Sequence, residues 1–179
     1  MGEKFEGYEK AKSDTALLEK MMLFIPGFRG YKEKELRRES DKLLREKVYK
    51  ALLEIRNDLK EVYRKLVEAR VTEAWDDTDR LIAKFDRMSS RIDHAEYGYA
   101  GFFNVVKVRE QDLDRMIKFD SSLLEMVEEI RGSASKLKDE TLADRFDKAR
   151  TSILELHKSV DSFEKIYNQR REVILGSKR

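Results

Sequence analysis

The stretch Leu142-Ala-Asp-Arg-Phe146-Asp-Lys-Ala149-Arg-Thr-Ser-Ile153-Leu-Glu-Leu156-His-Lys-Ser-Val160-Asp-Ser-Phe163-Glu-Lys-Ile-Tyr167-Asn-Gln-Arg170-Arg-Glu-Val-Ile174 decides the fold class. Its apolar residues recur at alternating intervals of four and three, with Arg170 as the one polar entry, the spacing of a coiled-coil seam. A helix over 139–175 follows. At 1.5 Å per residue it is a rod of roughly 55 Å, too long to bury its seam without a partner of similar length.

The sequence supplies such a partner over 31–70. Val48, Leu52, Ile55, Leu59, Val62 and Leu66 keep the same alternation, and Leu36, Leu43 and Leu44 extend it toward the N-terminus with a shift of phase. Glu33–Arg37, Asp41–Arg45, Glu46–Lys50 and Glu61–Lys65 each set an acid four residues before a base, the favourable orientation on a helix. A third helix is predicted over 72–97, with Thr78, Leu81, Phe85, Met88, Ile92 and Ala95 on one stripe. Thr72 would be its N-cap, and Glu73, Asp76 and Asp77 would face the positive end of the dipole. Only a phase break separates it from the preceding helix, so one continuous helix is the alternative. A fourth helix is expected over 109–131 with Leu113, Met116, Leu123, Val127 and Ile130 on its seam, ended by Gly132-Ser133. A short helix over 14–24 precedes them all. The expectation is one all-α domain over 1–179, an elongated antiparallel helical bundle with long coiled-coil-like helices.

Composition agrees. Of the 179 residues 41% are charged and Pro26 is the single proline, too little turn punctuation for a strand-rich fold. There is no cysteine, which removes disulfides, thiolate metal sites and cysteine nucleophiles. A net charge of +2 with interleaved signs gives no field to recruit nucleic acid. The N-terminus has no apolar signal core and no apolar run approaches a membrane span, so a cytoplasmic location is expected.

Two connections combine glycine with aromatic residues: Phe24-Ile-Pro-Gly-Phe28-Arg-Gly-Tyr31 and Tyr97-Gly-Tyr99-Ala-Gly-Phe102-Phe103-Asn-Val-Val106. Up–down alternation puts both at one end of the rod. One reading is that they cap the bundle. The other is a docking patch of Phe24, Phe28, Tyr31, Tyr97, Tyr99, Phe102 and Phe103 rimmed by Arg29, Lys32 and Arg37. The GxxG matches Gly27–Gly30 and Gly98–Gly101 lack the sheet that backs such a loop in RNA-binding domains.

Chemistry finds little foothold. His94 and His157 are preceded three residues earlier by Arg91 and Leu154, so neither makes the Glu-x-x-His of a di-iron site, and each reads as a hydrogen-bonded flanking residue. No nucleophile elbow or phosphate-binding loop occurs, and no cofactor is implied. Asp120 sits on a seam, where a charge needs a partner. With the turn at Gly132, Lys148 or His157 stands nearer its height than Arg170 does.

The segments Pro26-Gly-Phe-Arg-Gly-Tyr-Lys-Glu-Lys-Glu-Leu-Arg-Arg-Glu-Ser-Asp-Lys-Leu-Leu-Arg45 and Gly98-Tyr-Ala-Gly-Phe-Phe-Asn-Val-Val-Lys-Val-Arg-Glu-Gln-Asp-Leu-Asp-Arg115 resemble a family of uncharacterised helical prokaryotic proteins. The resemblance covers about a fifth of the chain and implies no activity and no site residues. Arg109 stands where that family would place an acidic helix cap.

These features favour a non-enzymatic interaction module, an adaptor or scaffold that docks a partner protein through its aromatic and basic end. The alternatives are a peripheral binder of anionic membranes, inserting Phe24, Phe28, Phe102 and Phe103, and an enzyme or ligand-binding protein with an interhelical pocket. A second copy of the chain is a further candidate partner for the seams. Asn and Gln total five residues against abundant Glu, Lys and Arg, a trend of heat-adapted proteins. The melting midpoint is therefore expected well above about 50 °C, the usual mesophile range, in a calorimetric scan.

Overall fold

The computed structural model describes residues 15–30, 34–95 and 110–175, and no strand occurs among them. The elements are α1 (15–24), α2 (Lys34–Glu68), a 3₁₀ turn at Thr72–Ala74, α3 (Trp75–Asp93), α4 (Glu110–Leu142) and α5 (Ala149–Leu175). The protein is all-α. Residues 1–14, 31–33, 96–109 and 176–179 lie outside the described residues, among them Tyr31 of the first glycine–aromatic connection and the whole of the second.

α2 and α3 are separate helices. After Glu68 the chain turns through Arg70 at φ 59°, while the Arg70 amide donates to the Val67 carbonyl (3.1 Å) and the Val71 amide to that of Leu66 (2.9 Å). This is the Schellman arrangement, built on arginine instead of glycine. Thr72 does not cap α3: it opens the 3₁₀ turn, and no side chain caps either the turn or α3. Asp76 and Asp77 do occupy the first turn of α3.

The second corner corrects the expected boundaries 109–131 and 139–175. Gly132 does not end a helix. α4 runs through it to Leu142, because its seam continues beyond as Ala134, Leu137 and Thr141, all buried. An exposed mid-helix glycine costs only about 1 kcal/mol relative to alanine, far less than burial of that stripe returns. The turn falls at 143–148, where Asp144 takes φ 58° and the Asp144 and Arg145 amides donate to the Thr141 and Glu140 carbonyls (3.1 and 2.9 Å). It is the same motif as the first corner. Leu142, expected on the seam of the last helix, is 45% exposed, while Ala149 through Arg170 keep that seam buried.

The two hairpins, α2–α3 and α4–α5, carry one pattern. The buried positions Val48, Leu52, Ile55, Leu59, Val62 and Leu66 of α2, then Ala74, Leu81, Phe85, Met88 and Ile92, are matched at one constant interval by Leu123, Val127, Ile130, Ala134, Leu137, Thr141, Ala149, Leu156, Val160, Phe163 and Tyr167. Each hairpin is antiparallel, but the two lie side by side with like helices parallel. Between α2 and α4, Lys47 meets Glu128, Glu54 meets Arg131, Asp58 meets Lys138 and Lys65 meets Asp144, both numbers rising together. Between α3 and α5 the pairs are Asp77–Arg150, Lys84–Asp161 and Arg91–Glu164. The principal neighbour of α5 is thus α4, not α2 as its seam length suggested. α1 lies on this framework, with Met21 in the core and Lys20 paired to Glu125 of α4 (2.8 Å).

A Cβ added at Gly132 meets nothing within 4 Å. Gly132→Ala is expected to raise stability by about 1 kcal/mol in denaturant unfolding, the full helix-propensity difference.

Candidate functional site

The parallel hairpins give the molecule a corner end, where both Schellman turns sit, and a tip, where α2 and α4 begin and α3 and α5 finish. At the tip the segment after α1 folds onto α2. Gly27 and Gly30 take φ 88° and 81°, the Phe28 amide donates to the Ile25 carbonyl (3.1 Å), and the Ser40 hydroxyl donates to the Gly30 carbonyl (2.9 Å). The left-handed backbone at both positions explains glycine there.

This geometry divides the expected docking residues. Tyr31, Lys32, Tyr97, Tyr99, Phe102 and Phe103 lie outside the described residues. Phe28 is 1% exposed and belongs to the core, and Phe24 is half-buried against it. Arg37, expected on the rim, is 2% exposed, and burial pushes its guanidinium below the ordinary arginine range. Phe28 and Arg37 are therefore corrected from surface to interior. Arg29 is exposed. Sequence reasoning missed Met22 and Leu23 on α1, the latter 85% exposed. Their signal was the run Leu17, Leu18, Met21, Met22, Leu23, Phe24, too many apolar residues for one face of a short helix.

Beneath the tip a polar cluster lies within the apolar core. Arg37, Ser40 and Asp41 of α2, Asp120 and Ser121 of α4 and Arg170 of α5 are all buried. The Arg170 Nε donates to Asp120 Oδ1 (2.5 Å) and its Nη2 to Asp41 Oδ1 (2.7 Å), while Arg45 Nε donates to the other Asp41 oxygen (2.8 Å). Asp120 thus has the partner its seam position demands, and that partner is Arg170, not Lys148 or His157. The misplaced turn hid it. With α4 ending at Leu142 and α5 beginning at Ala149, Asp120 and Arg170 stand almost equally far from the corner. Asp41 and Arg37 were legible too, because stepping back from Leu44 by three and then four residues reaches both.

The histidines are flanking and hydrogen-bonded. His94 Nδ1 lies 2.8 Å from the Ser90 carbonyl at the end of α3, and His157 Nε2 lies 2.9 Å from the Asp77 carbonyl. Among the described residues no three His, Asp or Glu side chains stand close enough to hold a metal ion, and no helix is long and apolar enough to cross a membrane. Two small interhelical clefts lie among the described residues. One of about 230 Å³ between α4 and α5 is lined by Ser133, Lys136, Glu140, Ser152, Glu155 and Ser159 among others. Another, of about 110 Å³, lies where Lys42, Arg45, Glu46 and Tyr49 of α2 face Ile92 and Asp93 of α3. Comparison with known protein families, curated protein sequences and solved structures returned no match.

Two outcomes follow. Removing one partner of a buried ion pair leaves the other uncompensated, so Asp120→Ala should cost about 3 kcal/mol in chemical unfolding. Asp77 is held below the ordinary carboxylate range by hydrogen bonds from Arg80 and Arg150. A depressed carboxylate stabilises above its unfolded value and loses that contribution as pH falls through the folded one. Asp77→Asn should therefore flatten the stability profile below about pH 4, the ordinary carboxylate range, and leave its slope at neutral pH unchanged.

Proposed function

We propose that the protein is a non-enzymatic interaction module, an adaptor or scaffold that docks a partner protein through the tip. The observation that carries this reading is the exposed apolar pair Met22 and Leu23 on α1, together with the exposed Arg29 in the glycine-bearing segment that follows it. Elsewhere the helix surfaces are laced by ion pairs such as Lys138 with Asp58 and Glu61, which raise the lysine's pKa above its ordinary value. A solvated surface of interleaved charge resists non-specific association, and the apolar residues exposed elsewhere (Val67, Leu142 and Leu154) are each far less exposed than Leu23. The long helices, which we read as coiled-coil-like, serve as the spacer that presents it. The two clefts described are smaller than the cavities that ordinarily hold a substrate or cofactor. The membrane reading loses support from Phe28, whose side chain is buried in the core.

The test is capture from native cell extract with the immobilised chain, in parallel with Leu23→Asp and Arg29→Glu. A discrete protein should be retained by the unaltered chain and at least about tenfold less by each variant, the loss expected for a central contact of about 1.4 kcal/mol or more. Retention by anionic vesicles, abolished by high salt, with no protein captured, would select the membrane reading instead.

A further inference from the structure

The shared spacing of the two hairpins also relates their faces. Two copies of a motif can meet through one common face, as across a two-fold axis, or front to back. The interval that carries Val48 onto Leu123 decides which holds here. It carries Lys47, Glu54 and Asp58, which bond the second hairpin, onto Ser122, Glu129 and Ser133, which are exposed. The first hairpin therefore meets the second with a face that the second turns to solvent. The stacking is front to back, as between neighbours in a repeat array, and it does not close on itself.

The larger cleft marks that solvent face. Its residues Ser133, Lys136, Glu140, Ser152, Glu155 and Ser159 correspond in order to Asp58, Glu61, Lys65, Asp77, Arg80 and Lys84. All of these but Arg80 bond the second hairpin, through Lys138, Asp144, Arg150 and Asp161. The smaller cleft lies on the opposite side of the molecule. Its residues Lys42, Glu46, Tyr49 and Asp93 correspond to Ile117, Ser121, Leu124 and Asn168 of the second hairpin. Ser121 and Leu124 are buried, and Asn168 accepts a hydrogen bond from Arg91 of the first hairpin. Each outer face thus repeats the pattern of an inner one.

We propose that a second copy of the chain seats its first hairpin in the larger cleft and continues the stack head to tail. The residues that this register brings together are complementary. The Glu54–Arg131 pair recurs as Glu129 with Arg56 of the next copy, both charges kept. Asp58–Lys138 recurs as Ser133 with Tyr63, Asp77–Arg150 as Ser152 with Trp75, and Lys47–Glu128 as Ser122 with Leu53. Charge is lost from both sides at once in these three, so burying them strands no ion. Leu53, Tyr63 and Trp75 are half-buried and form an apolar row, on a side that is ordinarily polar in a terminal repeat. Lys136 would lie against Tyr63, a cation on an aromatic ring. Asp86, opposite Ser159, gains a hydroxyl and keeps Arg56 of its own hairpin (2.5 Å). Glu140 meets Ala69 near the corner, where Asp144 of the matching internal pair is itself exposed. Because like helices run parallel, every tip of the stack lies along one edge. The stacking does not depend on what docks at the tip.

Sedimentation of the full chain tests the proposal. At loading concentrations up to about 1 mM, enough to populate a contact with a millimolar dissociation constant, the mass should climb past two chains. Glu129→Arg and Arg56→Glu should each weaken association at least about tenfold when alone. Mixed in equal amounts they should recover it, because every interface of the mixture again joins opposite charges. A single-chain mass throughout overturns the proposal, whether the cleft then serves another protein or none. A dimer that stops at two chains overturns it, as does association that both variants leave unchanged or that their mixture fails to recover. The masses of the unaltered chain decide the question even where a variant fails to fold.

Discussion

One guanidinium holds three helices in register. Arg170 bonds Asp120 on α4 and Asp41 on α2, all three side chains being buried. An apolar seam with a repeating spacing tolerates a slip of one heptad, since leucine meets leucine again. A buried arginine does not, because a slip carries it away from both carboxylates and leaves its own charge buried without them. The alternation of four and three makes the helices and gives them something to bury. The ionic layer decides at what height they stop against one another.

Around that constraint the molecule is built twice. The two hairpins share their buried positions at one constant interval and turn by the same Schellman motif, with Arg70 and Asp144 in the left-handed conformation that glycine ordinarily serves. Stacking them with like helices parallel places both corners at one end and brings the starts of α2 and α4 to the other. The tip is the end where the buried ionic cluster and the glycine-bearing segment after α1 coincide.

Much of this was legible in the residues. The stripes of α2, α3 and α5 were read from periodicity, and their buried positions are those the spacing marks, from Val48 to Leu66 and from Ala149 to Tyr167. Gly132 misled because local propensity was weighed above a seam that continues through Ala134, Leu137 and Thr141; tertiary burial overrides a penalty of about 1 kcal/mol. That single error displaced the turn and with it the partner of Asp120. At the tip, composition identified a concentration of aromatic and basic residues but not which would turn inward. Whether Phe28 or Arg37 faces the core depends on how the segment after α1 lies across α2, a long-range relation that no local pattern encodes.

The parallel stacking also sets an order of events for the nascent chain. Within each hairpin, partners across the corner are near in sequence, whereas the bonds between hairpins join residues from 73 to 129 apart, such as Arg91–Glu164, Lys84–Asp161 and Arg170–Asp41. Closing long loops is entropically slow, and local zippering is fast. The molecule is thus assembled as two quick local folds followed by one slow docking step, and the rate of that docking, not of helix formation, governs how soon a newly made chain is complete.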